Sequence, residues 1–141
     1  MKAHRIRLAG PWELQQLDNA LQPVGDVANC QLPYSLTPSQ NPSGVLLLRG
    51  FHCPTGIGQN TILRIILKAN QQPHEVRMNS IAAAVCKASR IGATDLNDTC
   101  SEFSIEITSL VAAFNRLSVI LHVSTTEIPA TLETAWLEIQ D

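Results

Sequence analysis

Hydrophobic and polar residues alternate with a period of two in one short run after another along this chain. In HRIRL, Ile6 and Leu8 share a face with His4, and Arg5 and Arg7 point the other way. In NTILRIILK, Leu63, Ile65 and Leu67 fall on one face, with Arg64 and Lys68 opposite beside Ile62 and Ile66. EFSIEI separates Phe103, Ile105 and Ile107 from Glu102, Ser104 and Glu106. RLSVILHV sets Leu117, Val119, Leu121 and Val123 against Arg116, Ser118, Ile120 and His122. ETAWLEI puts Ala135, Leu137 and Ile139 on one side and Trp136 and Glu138 on the other. A period of two repeated over short runs predicts half-buried antiparallel strands.

Breakers separate the runs: GPW, QPVG, PSQNPSG, PTGIGQN, NQQP and NDT. Their spacing suits a sandwich or jelly roll rather than βαβ units. TPSQNPSG is the candidate for a long mobile loop, and strand patterns resume directly after it, so no domain boundary falls there. Between EFSIEI and NRLSVILHV lies TSLVAAF, with Thr108 as an N-cap and Leu110, Val111 and Phe114 at helical spacing. It predicts one short helix near 108–114, its apolar residues plugging the end of the core and Asn115 ending the turn. The alanine-rich SIAAAVCKASRI, residues 80–91, fits either a short helix or a strand, and its neighbours favour a strand or irregular edge.

Composition narrows the class. With 141 residues, 45% hydrophobic and 16% charged, the chain fits one globular domain, residues 1–141, with a surface poorer in charge than usual. A net charge of -2 and the lack of a basic run make nucleic acid an unsuitable partner. The N-terminus has no signal-like apolar core and no apolar run is long enough to span a bilayer, so the expected location is the cytoplasm, with no membrane partner. Cys30, Cys53, Cys86 and Cys100 match neither a redox pair nor a zinc ribbon and read as small hydrophobes in a reducing compartment.

The order of segments carries a resemblance. Gly10-Pro11-Trp12, Leu32-Pro33-Tyr34, GVLLLRGF with Pro54, ILRIILKAN, EVRMNS, EFSIEITSLV and NRLSVILHV together resemble the N-terminal sugar-binding domain of family 2 glycoside hydrolases, the β-galactosidase and β-glucuronidase type. The resemblance runs from about Leu8 to about Ile139 and implies an all-β jelly-roll β-sandwich of the galactose-binding-like fold, with about nine strands. The family's catalytic carboxylates sit on a separate barrel, for which this chain has no room, so the resemblance implies a carbohydrate-binding or carbohydrate-associated module and not an enzyme. Where relatives turn through Asn-Gly, this chain has Asn79-Ser80, which favours the positive-φ turn less. The Arg-rich strand that often follows the Gly44 position is here LLLRGF, keeping Arg49 as a ligand-binding candidate.

Specific chemistry is sparse. Glu102 and Glu106 lie four residues apart on one strand face, roughly 13 Å between backbones at about 3.3 Å per residue, too far for a retaining glycosidase pair and better read as solvated surface. His52 and Cys53 are adjacent in a strand-like segment and so point to opposite faces, which rules them out as base and nucleophile. His4, His52, His74 and His122 lack transition-metal spacing. TDLNDT offers Asp95, Asn97 and Asp98 as ligands for a structural calcium ion, the one cofactor considered, although a polar turn is the simpler reading. A sugar site stacks an aromatic ring on the apolar face of the sugar and rings it with hydrogen-bonding groups. Trp12 and Phe103 sit in core-facing patterns, and Phe51 and Phe114 are assigned with them, leaving Tyr34 and Trp136 as stacking candidates beside Arg49. Apolar second faces at Ile62, Ile66 and Ile120 suit the alternative function, a protein-interaction module that forms a homo-oligomer or docks onto a separate catalytic subunit.

Overall fold

A computed structural model describes residues 3–37, 43–87, 100–123 and 128–141. The TPSQNPSG loop, residues 88–91 and the calcium candidates Asp95, Asn97 and Asp98 fall wholly or mostly outside these. The described residues form an all-β sandwich of twelve strands: β1 (Ala3–Arg7), β2 (Trp12–Leu17), β3 (Pro23–Cys30), β4 (Tyr34–Leu36), β5 (Ser43–His52), β6 (Ile62–Ala69), β7 (Glu75–Met78), β8 (Ile81–Ala83), β9 (Cys86–Lys87), β10 (Ser101–Glu106), β11 (Phe114–Val123) and β12 (Ala130–Gln140).

One sheet runs β1-β12-β6-β10-β9, with β4 also on β12, and the other runs β3-β2-β5-β11-β7-β8. All pairings are antiparallel. The count exceeds the expected nine because β4, β8 and β9 are short pieces of two or three residues that alternation alone does not separate from loops.

The alternation read from sequence sets the core. Leu63, Ile65 and Leu67 of β6, Phe103 and Ile105 of β10, and Leu117, Val119 and Leu121 of β11 are buried together with Trp12, Val45, Leu47 and Met78. Trp12 is fully buried, and its indole Nε1 donates to the carbonyl of Leu8 at 3.0 Å, which removes the penalty of burying an N–H. His4 and Ile6 pair with Ile139 and Leu137 across β12, but stay exposed on β1, which is an edge strand of its sheet.

The expected helix near 108–114 does not form; there is no helix among the described residues. Residues 108–110 make a turn closed by Leu110 N–H on the Ile107 carbonyl at 2.8 Å. Thr108 caps nothing helical: its hydroxyl accepts the Leu63 N–H at 3.0 Å, prolonging the β6–β10 pairing. Seven residues between two strands, 107–113, bury too little to support an isolated helix, and strand pairing at both ends takes the backbone first.

Phe114 departs from expectation in a second way. It opens β11 and is 57% exposed, outside the core to which it was assigned, while Leu110 and Val111 do pack against that core. The inward position belongs to its neighbour Asn115, which shares parity with Leu117 and Val119 and is fully buried. The Asn79-Ser80 turn forms despite the missing glycine, with φ of 53° and 70° and Met78 paired to Ile81 across it. The 81–87 segment is strand, as β8 and β9, rather than helix.

Candidate functional site

The outer face of the β12 sheet carries a connected charge layer. Arg5 on β1 donates through Nε to Glu138 at 3.0 Å and through Nη1 and Nη2 to Glu102 at 3.2 and 3.3 Å. Arg64 reaches Glu138 at 3.6 Å and Gln140 at 2.6 Å. The hydrogen bond to Glu102 raises the Arg5 pKa, burial opposes it, and Glu138 adds to the rise. The guanidinium of Arg5 also lies 5.7 Å from the Trp136 ring centroid, a cation–π contact. Trp136 therefore sits on the outward face, as its alternation indicates, half-buried beneath an arginine and paired across the strands with Ile66. That ring is a floor for the charge layer, and Ile66 at 4% exposure is covered within the same chain.

Tyr34 stands elsewhere. It lies on β4, paired with Leu132, half-buried and packed against the core. Burial, followed by the neighbouring Cys30, pushes its phenol pKa up, and burial pushes the Cys30 thiol up.

Arg49 is at a different place again, and it is the sequence-derived candidate that lines a groove. The groove, of about 640 Å³, lies where the β1–β2 connection meets the outer edge of β5 and β11. Its walls include Arg7, Pro11, Glu13, Arg49, His52, Phe114 and Arg116. Tyr34 and Trp136 do not line it, so the three residues singled out from sequence are not brought together.

The groove is built by register. Phe114 is opposite His52, and Arg116 opposite Gly50, in the β5–β11 pairing. The Phe114 ring lies across the bare backbone of Gly50: a Cβ there would come within 2.6 Å of Phe114 Cζ. His52 meets the same ring edge-on, with centroids 5.1 Å apart, and so fixes one side of an exposed aromatic platform. Arg49 braces the far wall by donating from Nε to the Ala9 carbonyl at 2.7 Å and from Nη1 to the Gly50 carbonyl. Arg116 reaches Glu13 on the rim at 3.5 Å.

Sequence reading passed over Phe114, Arg116, Glu13 and His52. A signal for the first was present: extending the β11 alternation back from Arg116 and Ser118 puts Phe114 on their outward face. No such signal exists for the rest, because their grouping depends on which strands become neighbours.

Among the described residues, no group of three or more histidine, cysteine or acidic side chains is placed to hold a metal ion. No helix among them is long and apolar enough to cross a membrane. Neither a protein-family model nor a curated protein matches the chain.

Proposed function

We propose that this protein is a non-catalytic carbohydrate-binding module that holds its ligand in the groove over Phe114. The observation that carries the reading is the exposed Phe114 ring on Gly50, walled by His52, Arg116 and Glu13. A flat apolar surface matches the C–H face of a sugar ring, and planar donors and acceptors around it match the hydroxyls. The likeness of segment order to the sugar-binding domain of family 2 glycoside hydrolases supports the same reading and suggests a galactose-binding-like relationship. An accessory role fits the groove, whose Glu13 has no second carboxylate among the lining residues to work with as acid and nucleophile. The spacing of the four cysteines, which matches neither a redox pair nor a zinc ribbon, fits a cytoplasmic location.

Isothermal calorimetry against a panel of mono- and oligosaccharides tests the reading. Binding in the micromolar to millimolar range that is lost in Phe114→Ala is expected; no heat with any sugar at millimolar concentration would sink it.

A protein-interaction role is the second reading, favoured by β3. This strand is an edge of its sheet and is exposed along nearly its whole length, with Val24 and Val27 turned to solvent. Such an edge can accept another strand. Sedimentation velocity distinguishes the two: a concentration-dependent dimer abolished by Val27→Lys supports interaction, and a strict monomer at 100 μM, a level of the order of weak affinities, counts against self-association.

A further inference from the structure

The groove's charge runs against that of the chain. Of its twelve lining residues three are arginines, Arg7, Arg49 and Arg116, and one is acidic, Glu13, a surplus of two positive charges (3 − 1) in a protein of net charge -2. Elsewhere among the described residues the arginines are matched: Arg5 by Glu102 and Glu138, Arg64 by Glu138, Arg77 by Glu75. In the groove the matching is poor. Arg7 has no hydrogen-bond or ion-pair partner among the described residues. Arg116 meets Glu13 at 3.5 Å with both side chains more than half exposed, longer than the roughly 2.7–2.9 Å of a well-made charge-assisted bond. Arg49 uses Nε and Nη1 on backbone carbonyls, which neutralise no charge and leave N–H donors of its five free.

Like charges gathered in a concave site repel one another and focus a positive potential into it. A neutral sugar leaves that repulsion in place, whereas an anionic substituent removes it. We infer that the groove selects saccharides bearing an anionic substituent, a carboxylate or a sulfate, set against Arg7 and Arg116 while the sugar ring rests on Phe114. This rests on the carbohydrate reading above and adds the charge of the ligand.

The test compares sugars identical except at C6: galactose with galacturonic acid and galactose 6-sulfate, and glucose with glucuronic acid and glucose 6-sulfate, alongside sodium sulfate. Titrations use the intact chain and the Arg7→Gln, Arg116→Gln and Phe114→Ala variants, with folding checked by circular dichroism. The expected result is that an acidic sugar binds at least about tenfold more tightly than its neutral parent. That preference falls in Arg7→Gln and Arg116→Gln and weakens between about 0.05 and 0.5 M salt, as screening requires, because the Debye length shrinks over that range from more than about 10 Å to a few Å. The carboxylate and sulfate arms identify which anion is preferred. Equal binding of neutral and acidic sugars, still lost in Phe114→Ala, overturns the inference and leaves the carbohydrate reading intact. Sodium sulfate binding as tightly as the sulfated sugars, or no sugar binding at millimolar concentration, overturns both.

Discussion

The side-chain amides of Asn79 and Asn115 are joined by a 3.0 Å hydrogen bond, Asn79 Nδ2 donating to Asn115 Oδ1, across the meeting point of the β7–β8 turn and the β10–β11 loop. Asn115 Oδ1 also accepts the Ala112 N–H at 2.7 Å, and its Nδ2 donates to the Ala112 carbonyl at 2.9 Å. Asn79 completes the junction by accepting the Arg116 N–H through Oδ1 at 2.8 Å and donating to the Leu110 carbonyl at 3.0 Å. Two asparagines thus do for this loop what a helix would have done, satisfying its backbone groups as it turns.

Asn115→Ala removes a fully buried amide and strands the Ala112 N–H, its carbonyl and one Asn79 donor. The expected loss is about 2–4 kcal/mol, since each orphaned buried group costs roughly 1–3 kcal/mol. Urea denaturation measures it, and a loss under about 1 kcal/mol would show that water replaces these bonds.

Ser80→Gly is expected to stabilise the protein. Ser80 is exposed and held at φ 70°, where a residue with a Cβ is disfavoured by roughly 1–2 kcal/mol and glycine is not. The greater freedom of glycine in the unfolded chain offsets part of this, leaving a gain of about 0.5–1 kcal/mol. Asn79→Gly at the neighbouring position, φ 53°, should destabilise instead, because it deletes the bonds to Asn115, Leu110 and Arg116. Both changes acting alike would refute this division of roles.

Much of the sandwich could be read from the chain, and the reason is visible in β6, β10 and β11. Where one face is buried and the other wet, each residue reports its own side, and Leu63, Ile65, Phe103, Ile105, Leu117 and Val119 are all where alternation puts them. TSLVAAF misled because apolar residues at helical spacing fit an open loop equally well once two asparagines satisfy its backbone. The groove was illegible for another cause. Its residues come from β1, β2, β5 and β11 and the connections between them, and only the pairing of β5 with β11 within one sheet places Phe114 on Gly50.

Arg5→Ala should uncover Trp136. With Arg5 partly exposed, loss of its ion pairs and cation–π contact is worth only about 1 kcal/mol in all. The clearer readout is Trp136 emission, which shifts to the red as water reaches the ring, while buried Trp12 is unchanged. An unshifted spectrum would mean that Glu102 and Glu138 alone keep the ring covered.

Alkaline pH should weaken the fold through Cys30 and Tyr34. Burial raises both above their ordinary values of 9.0 and 10.0, so above pH 9 the unfolded chain gives up protons that the folded chain retains. Stability is undiminished below pH 9 and falls as pH climbs through 9 and 10 toward the raised values, because the unfolded state then binds fewer protons. Denaturation midpoints from pH 8 to 11 follow this, and Cys30→Ser should flatten the first part of the decline.

The place of β12 has a consequence for synthesis. The last strand of the described chain is interior to its sheet, flanked on one side by β6 and on the other by β1 and β4, with Ala3 opposite Gln140. While the ribosome is still making residues 130–140, β1 and the β12-facing edge of β6 therefore stay unpaired, and Leu63, Ile65 and Leu67 lack their cross-strand neighbours Ile139, Leu137 and Ala135. The domain cannot fold piecemeal from its N-terminus. It waits for β12, and during that interval depends on slow long-range pairing, and on whatever chaperones shield those edges.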